Sequence, residues 1–365
     1  MKKSDIQYMQ QALLLAKSAA RIASPNPGVG CIIVKNEEII GNGATMAAGG
    51  DHAEIRALKD CQQRGHSAAG ATMYLTLEPC SHYGKTPPCV YKLIEAGITK
   101  VIIAVEDPFS EVSGRGIALL KEAKIATHVG LLAKEAQEVH RGFFARIKRG
   151  YPWVSLKIAS SMDGRAALNN KKSKWLTSEA ARHDVQILRS EYCAVLTGSG
   201  TVLADNPRLT VRNFKSLQPQ RFVIDGQLRT SSAAIIYAEG NAHIFTIVNS
   251  QDQLGAYHNN KVSVINAINN RYVDLPAVLK EIGAYGINNL LVEAGPGLAG
   301  AMVRAKLVDE VIMYMAPMYL GHKAMGIFAW NEITDIKQAI SFKLQSATMV
   351  GPDLKLTCSL KDDLN

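Results

Sequence analysis

The chain of 365 residues carries 41 Lys/Arg against 32 Asp/Glu, with 47% hydrophobic and 20% charged residues and a mean hydropathy near zero. That length, against roughly 100 to 200 residues for one domain, predicts two domains, each able to bury its own core. A single small module, a disordered chain, collagen and a coiled coil are excluded.

No apolar run approaches the roughly 20 residues of a membrane helix. Asp5, Gln7, Gln10, Gln11 and Lys17 break up what would be the apolar stretch of a signal peptide, while Ile6, Met9, Leu13 and Ala16 recur at the spacing of a packed amphipathic helix. Six cysteines are too sparse for a disulfide scaffold, which predicts reduced thiols and a cytoplasmic protein. The positive charge is evenly spread, with 19 Lys/Arg against 14 Asp/Glu in residues 1–149 and 22 against 18 in the rest. Without a basic run or interleaved aromatics, a small anionic substrate accounts for it as well as a polynucleotide, and plain solubility is the bland alternative.

In chain order, strands are expected at Val29 to Val34, Met73 to Leu77 and Val101 to Val105, with helices from His52 to Cys61, Pro88 to Ala96 and Ala133 to Arg146. This alternation predicts α/β architecture with mostly parallel strands. Arg146-Ile-Lys148-Arg149-Gly150 leading into Tyr151-Pro152 marks the junction, with domains expected over 1–148 and 149–365. The second series of strands runs Trp153 to Ala159, Ala194 to Thr197, Phe222 to Ile224, Ile244 to Val248, Val262 to Ile265, Asn289 to Val292 and Val311 to Met315. Asn249 to Asn260 and Asn266 to Asn270 read as polar loops.

In the first half, His52-Ala-Glu54 opens a helix, Glu78-Pro79-Cys80 ends a strand, and Cys89 follows nine residues later. One imidazole and two thiolates make a zinc set that leaves the fourth tetrahedral position for water, the arrangement of a catalytic site. Zinc lowers the pKa of such a water to about 7. Glu54, two residues from His52, is placed to carry a proton from that water to a ring nitrogen and departing ammonia, as in zinc deaminases with His-x-Glu and Pro-Cys-x-x-Cys motifs. Cys31, Cys61, Cys193 and Cys358 lack such company and read as core or surface thiols.

The spacer between Cys80 and Cys89 is eight residues rather than two. With Pro25-Asn-Pro-Gly-Val-Gly30, Gly50-Asp-His-Ala-Glu54 and Glu78-Pro-Cys-Ser-His-Tyr-Gly-Lys-Thr-Pro-Pro-Cys89, it resembles the deaminase half of the bifunctional riboflavin biosynthesis deaminase/reductase family. The resemblance implies a cytidine-deaminase-like three-layer fold, His52, Cys80 and Cys89 as zinc ligands, Glu54 as proton shuttle, and Asn26, Lys85 and Arg115 as substrate contacts. Asn26 and Lys85 also read as turn and loop residues, and Arg115 as a solvated charge. Where the family shows Asp-Pro-Asn-Pro, this chain has Asp107-Pro108-Phe109-Ser110, so the asparagine amide's hydrogen bonds must come from backbone, from Ser110 or not at all.

In the second half, Glu293-Ala-Gly295-Pro-Gly297-Leu-Ala-Gly300 follows a strand and precedes a helix expected from about Ala301. This Gly-x-Gly-x-x-Gly suits a pyrophosphate at a helix N-terminus, or merely tight packing. It falls too late for a Rossmann domain, and about 20 residues on lie Tyr319-Leu320-Gly321 instead of a ribose-binding acid.

Pro152-Trp-Val-Ser-Leu-Lys-Ile-Ala-Ser-Ser-Met-Asp-Gly-Arg165, Ser173-Lys-Trp-Leu-Thr177 and Gly198-Ser-Gly-Thr-Val-Leu-Ala-Asp-Asn-Pro-Arg-Leu-Thr-Val-Arg212 resemble the family's reductase half. The resemblance implies a dihydrofolate-reductase-like α/β domain, NADPH as hydride donor, reduction of a ribosylamino to a ribitylamino group, and a homodimer or higher homo-oligomer. It assigns Ala159, Trp175, Thr201, Asp205, Gly295, Pro296, Gly297, Leu298, Ala299, Gly300 and Ala301 to the cofactor, and Ser173, Arg189, Leu209, Arg212 and Glu293 to a small phosphorylated pyrimidine substrate. Opening a furanose for attack at C1 needs a charged neighbour and a proton source, for which Lys157 and Glu293 are candidates. Their bland alternatives are an outward strand lysine and a helix dipole partner, and Arg189 reads equally as a solvated helix charge. Lys174, where the family commonly has Gln, adds a positive charge suited to a 2′-phosphate. Two other classes, a nucleic-acid-editing deaminase and a deaminase whose second half only binds or assembles, are separated by tRNA binding and by NADPH consumption respectively.

Overall fold

The computed structural model describes residues 2–81, 88–109, 113–170, 174–240, 242–269, 271–330 and 332–360, and the chain divides into two units, Met1–Tyr151 and Pro152–Asn365. The first unit runs α1 (Lys3–Ala19), β1 (Gly30–Lys35), β2 (Glu38–Ala44), α2 (Ala53–Gln63), β3 (Thr72–Leu75), α3 (Cys89–Glu95), β4 (Lys100–Ile103), α4 (Arg115–Glu122), β5 (Ala126–Val129) and α5 (Ala133–Arg149). The expected junction at 148/149 therefore falls inside the last turn of α5, and the units part after Tyr151.

Its sheet has the order β2-β1-β3-β4-β5, with β1 antiparallel to both neighbours and β3, β4 and β5 parallel. Successive strand residues face opposite ways. Ile32 and Val34 of β1 pack with Met9, Ala12 and Leu13 of α1 and Ala136 of α5, while Cys31 and Ile33 pack with α2, α3 and α4 through Ala57, Val90 and Leu120. Two helical layers thus enclose one sheet, the three-layer arrangement expected. Ile6, expected on the packed face of α1, is exposed, and Asp5 is buried in its stead. That acid accepts hydrogen bonds from the Tyr74 hydroxyl at 2.7 Å and the Lys2 amide at 2.8 Å, so its burial is compensated. Gly43 of β2 lets the start of α2 approach, because a Cβ there would lie 2.3 Å from the Ala53 carbonyl oxygen.

The second unit runs β6 (Trp153–Ser161), β7 (Arg165–Ala167), α6 (Glu179–Glu191), β8 (Ala194–Gly198), α7 (Ser199–Asp205), β9 (Gln220–Ile224), β10 (Ala242–Thr246), α8 (Gln251–Gly255) and β11 (Lys261–Val264). It continues through β12 (Ala267–Ile268), β13 (Tyr272–Val273), α9 (Leu275–Ala284), β14 (Asn289–Glu293), α10 (Pro296–Arg304), β15 (Glu310–Ala316), β16 (Met325–Gly326), β17 (Phe342–Val350) and β18 (Asp353–Leu360). A nine-stranded sheet has the order β11-β10-β9-β8-β14-β6-β15-β18-β17. The strands from β11 to β15 are parallel, and the hairpin β17–β18 adds to β15 antiparallel. β14 inserts between β8 and β6, which brings the carboxyl ends of all three together where the strand order reverses, the usual ligand position of an open α/β sheet.

Two expectations need correction. The stretch Asn249 to Asn260, expected as loop, contains the short helix α8, and Asn266 to Asn270 contributes β12. The helix expected from Ala301 begins five residues earlier, since Pro296 is favourable at a first helical position where no N–H is needed. Gly297 and Gly300 therefore lie within α10 rather than in a loop, and a Cβ at Gly300 would meet the Ala329 carbonyl at 3.1 Å. No helix among the described residues is long and apolar enough to cross a membrane.

Candidate active sites

In the first unit, His52 is the extended N-cap of α2, Glu54 lies in its first turn, Cys80 follows β3, and Cys89 is the first residue of α3. Their donor atoms converge. His52 Nδ1 is 3.6 Å from Cys80 Sγ and 3.3 Å from Cys89 Sγ, and one donor atom from each residue lies within 4.8 Å of the others. Zn–S and Zn–N bonds of their ordinary lengths place tetrahedral ligands about 3.5 Å apart, so the set fits zinc in both chemistry and spacing. Helix N-termini at His52 and Cys89 favour negative charge beside them, which suits thiolates.

The local electrostatics follow from the same packing. The Cys89 amide donates to Cys80 Sγ at 3.2 Å. A hydrogen bond from the Cys89 thiol, aided by His52, holds Cys80 low, at about 4, and drives Cys89 correspondingly high. The Cys80 partner raises His52 to about 9. Glu54 is only 4% exposed, and burial followed by the neighbouring Cys80 charge raises it to about 7, where a carboxyl both gives and accepts a proton near neutral pH.

Asn26 is half-buried, its backbone N–H donating to the Ala23 carbonyl at 2.9 Å. Arg115 is exposed at the start of α4. Phe109 donates its backbone N–H to the Asp107 side chain, at 2.8 Å from Oδ1. Lys85 and Ser110 lie outside the described residues, as does Ser173 of the second unit.

In the second unit the register pairs Lys157 of β6 with Glu293 of β14. Lys157 Nζ lies 3.1 Å from Glu293 Oε2, and Arg189 of α6 clamps the same carboxylate through two nitrogens, with Nη2 at 2.9 Å. Burial alone would raise the Glu293 carboxyl, yet Arg189 and Lys157 hold it at about 2. Arg189 also donates to the Thr210 carbonyl at 3.2 Å and is itself buried. It is therefore not a solvated helix charge, and its guanidinium is engaged by Glu293; of the two named arginines, Arg212 is the exposed one. Leu209 is buried with a φ of 53°, an uncommon left-handed conformation for a branched residue.

The cofactor-assigned residues gather nearby only in part. The Gly295 amide donates to Thr201 Oγ1 at 3.1 Å, joining the turn after β14 to α7. Leu298 approaches Gly198 so closely that a Cβ there would sit 3.2 Å from its side chain. Ala299 is buried, whereas Gly297 opens onto free space and Ala301 is exposed. Ala159 pairs with Tyr314 across β6 and β15. Lys174 Nζ lies 3.7 Å from Asp205 Oδ1, and the exposed Trp175 ring faces the Arg182 guanidinium at 4.7 Å.

Sequence reading passed over Glu78, whose buried carboxylate gathers backbone amides from Asp107 and Gly114 before α4 and from Ile117 in its first turn. An acid beside a ligand cysteine was the available signal. It also passed over Asp184, which accepts from the Tyr314 hydroxyl at 2.5 Å and from Lys355 at 2.7 Å, a contact between strands and α6 that sequence spacing does not reveal.

Comparison with known proteins places both halves. Residues 2–105 match the zinc-binding region of cytidine and deoxycytidylate deaminases, and residues 152–356 match the RibD C-terminal domain. Riboflavin biosynthesis protein RibD of Buchnera aphidicola is 41% identical over 96% of this chain and 97% of its own, and that of Escherichia coli is 40% identical over 96% and 98%. Among solved structures, Acinetobacter baumannii RibD aligns with a TM-score of 0.89 at 36% identity, covering 99% of each chain. A Thermotoga maritima diaminohydroxyphosphoribosylaminopyrimidine deaminase/5-amino-6-(5-phosphoribosylamino)uracil reductase aligns at 0.89 with 29% identity over 98% and 99%. The chain therefore belongs to the RibD family of riboflavin biosynthesis proteins, with a zinc-type deaminase unit followed by a reductase unit.

Proposed function

We propose that the first unit hydrolyses the amino group of 2,5-diamino-6-ribosylamino-4(3H)-pyrimidinone 5′-phosphate, and that the second reduces the ribosyl group with NADPH to give 5-amino-6-ribitylaminouracil 5′-phosphate. The observation that carries this reading is the convergence of His52, Cys80 and Cys89 beside a buried Glu54 tuned near neutrality. Zinc held by those three side chains supplies the acidity that brings water ionisation toward neutral pH. Glu54 takes the proton that water loses as its oxygen bonds to the amino-bearing carbon, passes it to the ring nitrogen, and helps deliver a proton to the nitrogen that leaves as ammonia. Asn26, Lys85 and Arg115 are the proposed substrate contacts.

In the second unit NADPH supplies a hydride for the sugar C1. Lys157 and Glu293 form the charged wall against which the furanose opens, and the Lys157 ammonium donates toward the ring oxygen as its bond to C1 breaks. Arg189 keeps Glu293 ionised from behind. Arg212, Ser173 and Leu209 are assigned to the substrate, and the exposed Arg212 guanidinium suits its phosphate through forked hydrogen bonds. The turn of Gly295 and Pro296, with Thr201, Asp205, Ala159 and Trp175, is assigned to the cofactor.

The test gives purified protein the diaminopyrimidinone ribosylamino phosphate and follows ammonia release and the NADPH band, with and without NADPH. Ammonia without NADPH, then NADPH oxidation only after deamination begins, is the expected result. Ammonia alone would leave the second unit a binding or assembly domain, and neither signal would overturn the substrate assignment. A strong chelator is expected to abolish ammonia release while leaving reduction of the deaminated intermediate intact. Lys174→Gln is expected to lower the NADPH to NADH preference about tenfold, by removing one charge from the 2′-phosphate. An unchanged preference would leave Lys174 simply the partner of Asp205.

We place the enzyme in the cytoplasm, as its six free cysteines favour a reducing compartment. We further propose a homodimer through the second unit. β17 is the terminal strand of the nine-stranded sheet, most of its residues are exposed, and Leu344 and Met349 present apolar surface there.

A further inference from the structure

Glu78 is a buried acid that neither half-reaction uses. Its amide donates to the Val105 carbonyl at 3.0 Å, which fixes the backbone beyond β3 beside the end of β4. Its carboxylate is 4% exposed and accepts three backbone hydrogen bonds: Oε2 from the amides of Asp107 at 3.2 Å and Gly114 at 3.0 Å, and Oε1 from Ile117 at 3.2 Å. All three donors lie 29 to 39 residues away in sequence. Gly114 is the N-cap of α4 and has no side chain with which to cap it, so Glu78 does that work from another part of the chain.

The same junction is tight by shape. Gly116 lies over Pro79, and a Cβ there would stand 2.2 Å from the Pro79 carbonyl oxygen and 3.3 Å from Glu78 Oε1. The first turn of α4 thus rests directly on the Glu78-Pro79-Cys80 turn. Between the bonded Gly114 and Ile117 stands Arg115, exposed, a cation in the first turn of a helix, where the dipole disfavours it. The Glu78 carboxylate beneath offsets that cost and leaves the guanidinium facing outward, able to meet an anion.

We propose that Glu78 is a positioning residue of the deaminase site, which locks Arg115 at a set distance from the turn carrying Cys80, so that the anionic end of the substrate and the reacting ring are held in one register. This rests on the assignment of Arg115 to the substrate. A carboxylate suits the task because both oxygens accept. In Glu78→Gln the amide NH₂ would oppose a backbone N–H instead of receiving it.

The experiment measures deamination by the full-length zinc enzyme carrying E78Q, R115A, both, or G116A, with zinc content determined for each, far-UV circular dichroism and thermal unfolding as the folding control, and reduction of the deaminated intermediate as the measure of an intact second unit. E78Q is expected to keep its zinc and its reductase rate, to raise KM for the pyrimidine about tenfold, and to change kcat by less than about threefold. R115A is expected to raise KM similarly, and the double variant to be no worse than the worse single one, since both act on one contact. G116A drives a Cβ against the Pro79 carbonyl and the Glu78 carboxylate while leaving the acid's charge and both its oxygens in place; it is expected to raise KM as well, and it carries the test if E78Q does not fold. An unchanged KM in E78Q or G116A, KM effects that multiply in the double variant, or loss of zinc from E78Q would overturn the proposal. R115A with a wild-type KM would overturn it too, while leaving deamination itself standing. A wild-type chain that releases no ammonia would instead sink the deaminase reading and this proposal with it.

Discussion

An enzyme carrying Glu54→Gln is expected to release ammonia about a hundredfold to ten-thousandfold more slowly than the wild type while retaining its zinc and its reductase activity, since removing a positioned general acid–base group typically costs about 10² to 10⁴ in rate. The size of the effect follows from the environment. Glu54 is buried, and burial raises its carboxyl above the usual carboxylate range, so it takes up a proton more readily than an exposed acid. Glutamine keeps the shape and one acceptor but carries no transferable proton, so both the activation of water and the protonation of departing ammonia lose their partner. Zinc analysis separates this from loss of the metal, because the converging donors are His52, Cys80 and Cys89. An E54Q enzyme with near-normal ammonia release would remove Glu54 from the mechanism.

The second large effect is expected at Glu293. Its carboxylate is buried between Arg189 and Lys157, so Glu293→Gln leaves two cations without their counter-charge. Breaking a buried pair by removing one partner costs about 3 to 5 kcal/mol. Reductase activity is expected to fall with it, and urea unfolding followed through the two activities separately should show hydride transfer lost at lower urea than ammonia release. Coincident loss at the wild-type midpoint would show that the network carries little stability.

The same carboxylate sets a pH dependence. Its folded pKa, about 2, lies below the usual 4.5. The unfolded chain therefore binds the proton more readily, and the stabilisation is fully present above about pH 4.5. It is lost as pH falls from there toward 2, and the whole shift corresponds to roughly 3 kcal/mol. Unfolding midpoints of wild type and E293Q should converge across that window, and parallel curves would remove Glu293 as the cause.

Much of the deaminase site was legible in the chain because its chemistry is local. His52 and Glu54 occupy one helix start, and Cys80 and Cys89 bracket one loop, so residue type and spacing alone implied a metal with a proton carrier. The α/β character of this unit was legible too, in apolar runs such as Val29 to Val34 set between helical stretches, whereas its three layers were implied by the family resemblance and are seen in the two helical layers that cover Cys31 to Val34. The reductase half was less so. β17 is mostly exposed, which erases the apolar alternation that marks a strand, and Gly297 and Gly300 looked like loop residues until Pro296 was seen to start α10 before them.

What the sequence determined by itself, then, was the pair of units, their order, and the chemical identity of the groups that could hold zinc, move a proton or meet an anion. The tertiary structure decided which of those groups are already engaged. Arg189 reads in the chain as one more cation on a helix face, but strand register brings Glu293 beside Lys157, and α6 brings Arg189 against the same carboxylate, turning it from a free charge into the partner of a buried acid. Glu78 likewise reads as an ordinary acid before a cysteine, and only the return of the chain at Asp107 and Gly114 gives its carboxylate three amides to hold. The reason is physical: what a side chain can do is fixed by its covalent chemistry, whereas its charge state and availability depend on neighbours that are distant in sequence and close only once the strands have paired.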